Sequence, residues 1–165
     1  GTAGVGGIYK NSERLKKYDY SEQLFSEKLV IYFNKANPVN FTKIDDLKGK
    51  RVGVLRGWSY GDDFDNARKA GAFLAEEIGS DDQNFQKLDL GRLDAVVAVS
   101  ESGSDLMLKY KNIGAAATAL AENPSFLAFA KKANQAALLK QFDQAIAELK
   151  KSGEFKKIVS AELAK

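Results

Sequence analysis

"LKGKRVGVLRGWSYG", residues 47–61, is the stretch on which the reading of the fold turns. A charged turn stops at Gly49 and leads into "RVGVL", a short apolar run with the β-branched content of a buried strand. A loop with Gly57 and Gly61 at its two ends follows, and it holds Trp58, the single tryptophan of the chain. Beyond it, Phe64, Ala67, Gly71, Leu74, Ala75 and Ile78 fall at helical spacing, which predicts one amphipathic helix ended by Gly79. Asp62, Asp63 and Asp65 stand in its first turn, where negative charge suits the helix dipole. A strand, a glycine loop and a helix start make an arrangement suited to an anion, because free N–H groups and the positive end of the dipole converge there.

Which anion is narrowed by spacing. A Walker loop needs Gly, four residues, then Gly-Lys-Ser/Thr. Here Ile44 stands where the first glycine belongs and Arg51 where the hydroxyl belongs. The dinucleotide fingerprint needs three glycines at fixed spacing, which "GVLRGWSYG" does not supply, and "GTAGVGG" at the start opens no strand–helix unit. A carboxylate clamp remains, with the Ser59 hydroxyl and loop N–H groups as donors and Trp58 and Tyr60 shielding the ion from water. So does a purely structural role, with Trp58 in the core and Ser59 capping the helix. Local chemistry leaves both open.

Working outward, "KLVIYF" (28–33) reads as a strand, "NKANPVNF" (34–41) as a loop and "TKIDDLKG" (42–49) as a single helical turn. "DDQNFQKLDLG" (81–91) is a short helix closed by Gly91. "LDAVVAV" (93–99) is a second buried strand, "SGSDLMLKY" (102–110) a returning helix and "PSFLAFAKK" (124–132) a strand. Leu138, Phe142, Ala145, Ile146 and Leu149 form one apolar helical stripe; after Gly153, Phe155, Ile158, Val159 and Leu163 form another. Strands alternate with helices from residue 42 to about 130, which predicts a parallel-sheet α/β unit.

Composition sets the outer limits. A chain of 165 residues suits one domain or two small lobes, and 44% hydrophobic residues suffice for a core. The net charge of +3, with lysines scattered along the chain, argues against a nucleic-acid partner. With no histidine or cysteine, a serine–histidine–aspartate triad, thiolate chemistry and the usual zinc ligands are excluded within the chain, so no metal or cofactor is expected. No apolar run approaches membrane-spanning length. "GTAGVGG" lacks the pattern of a signal peptide and looks like the inside of a domain, so the chain is expected to be a piece of something longer.

Four segments together resemble a known family. "DDLKGKRVGVLRGWSY" (45–60), "GRLDAVVAVSES" (91–102), "NSERLKKYDYSEQLF" (11–25) and the tail "FDQAIAELKKSGEFKKIVSAEL" (142–163) are similar, in order and spacing, to segments of the periplasmic amino-acid-binding proteins of ABC importers, solute-binding protein family 3. The resemblance runs from about residue 5 to the end. It implies an α/β fold of the type II periplasmic-binding-protein kind, with two lobes joined by two strands and a ligand held in the cleft. It also implies that the chain corresponds to the last two-thirds of such a protein. Residues 1–29 would be a remnant of lobe 1, 30–33 a hinge strand, 34–124 lobe 2, with its parallel-rich sheet flanked by helices, and 125–165 the return strand and C-terminal helices. Without the rest of lobe 1, those helices are expected to pack on lobe 2 or on another copy of the chain, as a domain-swapped homodimer.

The resemblance assigns roles by position. Arg14 would pair with the ligand's α-carboxylate, which a guanidinium fork matches bidentately. Gly7 and Tyr9 match the lobe 1 strand that touches the ligand. Ser59 keeps a hydroxyl that the family carries, whereas Trp58 replaces a threonine and, with Tyr9 and Tyr60, would favour a flat or cationic group. Val99 stands where many amino-acid binders place an aspartate for the ligand's ammonium. Its neighbour Glu101 would reach in only if the strand end shifts. The ligand is then an amino acid held differently, or a carboxylate or aromatic compound without an ammonium. The leading reading is a non-enzymatic, periplasmic or extracellular-facing solute-binding protein that delivers a small ligand to the membrane subunits of an ABC importer. The sensor domain of a receptor such as a histidine kinase, a dehydratase-like enzyme with Glu101 as base, and an interaction module with a vestigial cleft are the alternatives.

Overall fold

The computed structural model describes residues 4–163; residues 1–3 of the glycine-rich start and the side chains of Glu162 and Leu163 fall outside that description. In chain order the elements are β1 (Val5–Tyr9), α1 (Ser12–Leu15), β2 (Tyr18–Tyr20), β3 (Ser26–Asn34), β4 (Arg51–Leu55), α2 (Asp62–Lys69) and β5 (Leu74–Ile78). They continue with α3 (Asp81–Asp89), β6 (Ala95–Val99), α4 (Ser100–Lys109), β7 (Ile113–Ala115), β8 (Ala121–Ala130), α5 (Ala136–Ser152) and α6 (Glu154–Leu163). The chain forms two units, one from the residues up to Ser26 together with Pro124 onward, the other Glu27–Asn123. The chain passes from one unit to the other within β3 and again within β8.

In the Glu27–Asn123 unit, β4 lies between β5 and β6 and runs parallel to both. β6 pairs antiparallel with β3, whose other edge takes β7, also antiparallel. The sheet is therefore mixed, and the expected parallel order holds for β4, β5 and β6. Ala95–Ala98 of β6 and Val52 and Val54 of β4 are buried, as befits central strands covered on both faces. Phe85 and Leu88 of α3 join Tyr32, Leu93, Val96 and Ile113 in the core.

Two glycines let helices approach this core closely. A Cβ on Gly103 of α4 would lie 2.1 Å from Cζ of Tyr32, and one on Gly53 of β4 would lie 2.4 Å from Oδ1 of Asn84 in α3. A charged fork ties the start of β4 to the turn before β6. Arg51 donates from Nε (3.2 Å) and Nη2 (3.0 Å) to the two oxygens of Asp94, and its N–H adds a bond of 2.7 Å. These bonds hold the Asp94 carboxyl below the usual aspartate range.

One predicted element is corrected. The helical pattern over 64–78 is only half a helix, because α2 stops at Lys69 and Leu74–Ile78 is a strand. Gly71, at φ +72°, turns the chain out of the helix. The apolar positions 74, 75 and 78 are too few to separate a helical period from a strand, and pairing from Arg51↔Leu74 to Leu55↔Ile78 decides for the strand.

In the other unit, β8 is flanked by β1 and β2, both antiparallel. β1 carries an irregularity between Val5 and Ile8, and Gly7 takes φ +71° there, a conformation that suits glycine. The C-terminal helix α5 belongs to this unit. Asp143 accepts the Glu22 N–H at 2.8 Å, the Lys150 ammonium donates to the Gln23 carbonyl, and Leu139 is buried. The helix thus differs from the expected packing on lobe 2, because residues 22 and 23 give it polar anchors on its own unit. Leu138 and Ile158 remain 45% and 48% exposed.

Gly103→Ala tests the close approach of α4 to β3. An alanine in an unstrained helix is ordinarily favourable, but here it must displace the Tyr32 ring, and a loss of about 1–3 kcal/mol in urea unfolding is expected. A gain in stability would overturn the reading.

Candidate functional site

The parallel strands β4, β5 and β6 end at one edge of their sheet, and each leads to a helix start, at α2, α3 and α4. That edge is where open α/β sheets gather ligand groups. The most elaborate of the three connections is the loop 56–61. Gly57 (φ +75°) and Gly61 (φ +106°) let the backbone turn at its two ends. Tyr60 locks it from inside, since its Oη accepts the Leu55 N–H at 2.7 Å and its carbonyl accepts from Nδ2 of Asn123 at 3.3 Å.

The other lock is Asp65, in the first turn of α2. Its Oδ2 accepts from the Ser59 hydroxyl at 2.5 Å and its Oδ1 accepts the Tyr60 N–H at 3.1 Å. Asp65 is 6% exposed and Ser59 5%, so the pair is shut away from bulk water. The aromatic residues of the loop divide. Trp58 is 39% exposed, whereas Tyr60 is 2% exposed and packs edge-on against Phe64, with ring centroids 5.3 Å apart. Burial pushes the Tyr60 phenol well above its ordinary pKa. A cavity of about 260 Å³ opens beside the loop, between the first turn of α2 and Leu120–Asn123.

At the start of α4, Glu101 is exposed and accepts the Ser100 hydroxyl at 2.8 Å. Val99, half-buried, ends β6. In the first turn of α3, Asp81 accepts the Ser102 hydroxyl at 3.0 Å, and desolvation raises its carboxyl above the usual range. Burial, reinforced by the charges of Glu101 and Asp81, pushes the Tyr32 phenol to about 12.

In the other unit, Asn11 caps α1 by accepting the Arg14 N–H at 2.8 Å, and Nη1 of Arg14 donates to the Tyr9 carbonyl at 3.1 Å. Tyr9 is buried and Gly7 exposed. The structure thus joins Arg14 to Tyr9 within one unit and gathers Trp58, Ser59 and Tyr60 within the other, with Glu101 just past the end of the adjacent strand, β6, on the same edge. Sequence reasoning missed Asp65 and Asn123. Asp65 had a visible signal, a carboxylate in the first turn behind a serine, but it was read only for its charge; Asn123 had none. Among the described residues no group of three His, Cys, Asp or Glu could hold a metal, and no helix is long and apolar enough to cross a membrane.

Residues 3–162 match the bacterial extracellular solute-binding proteins, family 3. The chain belongs to this family. It is 30% identical over 150 residues to the L-cystine-binding protein TcyJ of Escherichia coli, covering 90% of this chain and 55% of that one. It is also 30% identical over 154 residues to the L-arginine-binding protein of Pseudomonas aeruginosa, covering 88% and 58%. Among solved structures, an ancestral arginine-binding protein bound to arginine superposes with a TM-score of 0.79 at 26% identity, over 94% of this chain and 68% of that one. This family-3 chain therefore spans little more than half the length of the curated relatives it matches. Its α/β lobe flanked by helices is the fold class the sequence led us to expect.

The half-buried Asp81 gives a pH test. Its folded pKa is raised, so the native state binds that proton more tightly than the unfolded chain. Its stabilisation is fully present below the ordinary value of 3.8 and is lost as pH rises through the folded value. Asp81→Asn keeps an acceptor for Ser102 and removes the ionisation. In urea unfolding at a series of pH values, the variant should gain on the wild type as pH climbs above 3.8; a constant difference would mean that the carboxylate is well solvated.

Proposed function

We propose that this family-3 solute-binding chain captures an amino acid outside the cytoplasm and presents it to the membrane subunits of an ABC importer, without chemical conversion. The observation that carries this is the family match from residue 3 to 162, joined to relatives whose own names specify amino-acid binding. Arg14 is proposed to take the α-carboxylate, its guanidinium oriented by the Tyr9 carbonyl, with the bulge at Gly7 beside it. Trp58, Ser59 and the loop that Tyr60 locks are proposed as a second set of contacts, with Glu101 adding negative charge at the same sheet edge.

Calorimetric titration of the full-length gene product with L-arginine, L-cystine and a wider panel of amino and organic acids tests this. One amino acid should bind and alter the Trp58 emission on saturation. Arg14→Ala should weaken it by about thirtyfold or more, the usual scale for removing one partner of a desolvated charge pair. A folded protein that takes no member of the panel would overturn the proposal.

A finer part of the proposal is a homodimer in which a second copy covers the apolar positions of α5 and α6 that remain exposed, Leu138 and Ile158. Sedimentation velocity across a concentration series should show a dimer; a monomer throughout would exclude it.

A further inference from the structure

We propose that one end of the Glu27–Asn123 unit docks on the surface of an anionic lipid bilayer. It is the end at which β4 and β5 begin, opposite the edge that carries the glycine loop. Two exposed leucines enter the interfacial layer there, and cations on the adjoining turns meet the headgroups.

Leu74 and Leu90 are 63% and 60% exposed, although one begins β5 and the other closes α3. The packing of these two elements brings them to one place. Glu76 of β5 is paired with Lys87 of α3. Leu74 precedes Glu76 by two positions, so it shares that face of the sheet. Leu90 follows Lys87 by three, so it shares that side of the helix. Arg51, the strand partner of Leu74, donates from Nη2 to the Gly91 carbonyl at 3.1 Å, and Gly91 stands between Leu90 and Arg92. The Leu74 N–H donates to the Lys50 carbonyl at 2.8 Å, which sets residues 48–50 alongside.

The charge around these leucines is positive. Lys35, Lys48, Arg92 and Lys111 are exposed and Lys50 is half-buried. Lys35 and Lys111 are joined to this end through Asn34, whose Nδ2 donates to the Asp89 carbonyl at 3.0 Å, and the Lys35 ammonium donates to the Lys111 carbonyl at 2.8 Å. Of the neighbouring acids, Asp94 is held by Arg51 and Glu76 by Lys87, while Asp89 is half-buried with Oδ1 enclosed. Helix dipoles favour cations in last turns, which accounts for Lys69 of α2. They do not account for these five, which stand between elements.

A protein partner needs a socket shaped for each protruding leucine, whereas the interfacial layer of a bilayer accepts apolar side chains at any spacing. Lysine and arginine stems lie along apolar surface while their charged heads reach phosphate groups, and each cation close to an anionic surface adds to the attraction. In a protein that serves an importer, such an affinity keeps the chain near the membrane subunits. That consequence rests on the import reading; the contact itself does not.

Cosedimentation tests the contact. The purified chain is spun at low salt with vesicles of phosphatidylglycerol and phosphatidylcholine in equal parts, and with vesicles of phosphatidylcholine alone. It should pellet with the mixed vesicles and stay in solution with the neutral ones. Lys48→Glu with Arg92→Glu should weaken the association by about tenfold or more. Lys140→Glu with Lys151→Glu, the same change of net charge placed on α5, should leave it at the wild-type value. Leu74→Ser with Leu90→Ser should weaken it by about fivefold or more. Thermal melts establish that each variant is folded. Equal pelleting with neutral vesicles, an equal loss from the α5 reversal, or serine variants that pellet like the wild type would each overturn the proposal. Calorimetric titration of the same preparation with amino acids keeps the two readings apart. A wild type that binds its solute and ignores the mixed vesicles loses the docking surface and keeps the import reading, whereas one that pellets and binds no solute does the reverse.

Discussion

The register of β4 between β5 and β6 is the constraint on which the Glu27–Asn123 unit depends. Residues 51–55 pair in parallel with β5, and Val52 and Gly53 pair in parallel with β6, so all three strands finish at one edge. Each next element must then begin at that edge, which places the first turns of α2, α3 and α4, and the side chains they carry, along a single line. The Arg51–Asp94 fork pins this register at the opposite end of the strands, and Gly53 leaves the room over β4 that the Asn84 side chain of α3 fills. A shift of one residue would turn Val52 and Val54 to the wrong face and unseat the loop that follows them.

Much of this was legible in the sequence. "KLVIYF" and "RVGVL" lie in strands, "LDAVVAV" does from Ala95 and "PSFLAFAKK" as far as Ala130, and Gly153 does separate two helices, with φ +77°. Runs of β-branched residues and left-handed glycines act locally, so they can be seen without tertiary information. The stretch 74–78 could not be seen in that way. "LAEEI" has weak strand propensity, with two glutamates in its five residues, and becomes a strand because β4 offers it an edge. The three-residue strands β2 and β7 were missed for the same reason, since their identity lies in their partners, β8 and β3.

The loop at 56–61 was legible to a different depth. Spacing alone disposed of nucleotide readings, and family resemblance pointed to Ser59. The direction of its hydroxyl was invisible, because it depends on a carboxylate six positions along the chain and one turn into a helix whose entry angle the sequence did not specify. Tyr60 shows the same limit. It looks from its neighbours like a residue of the mouth, yet its ring is enclosed and its hydroxyl serves the backbone of the preceding strand. Asn123 reaches Tyr60 from 63 positions away, a distance no local pattern spans.

The placement of β5 also bears on solubility. Among the described residues it pairs only with β4, so its outer side presents backbone groups that another polypeptide could extend into a continuous sheet. Two features oppose that growth. The strand is five residues long, and Glu76 and Glu77 sit within it, engaged by Lys87 and Arg68 respectively. A like strand arriving antiparallel would bring its own glutamates up to these, adding repulsion where cross-strand contacts should stabilise. The residues that obscured the strand in the sequence are thus the ones that keep its edge from recruiting a neighbour.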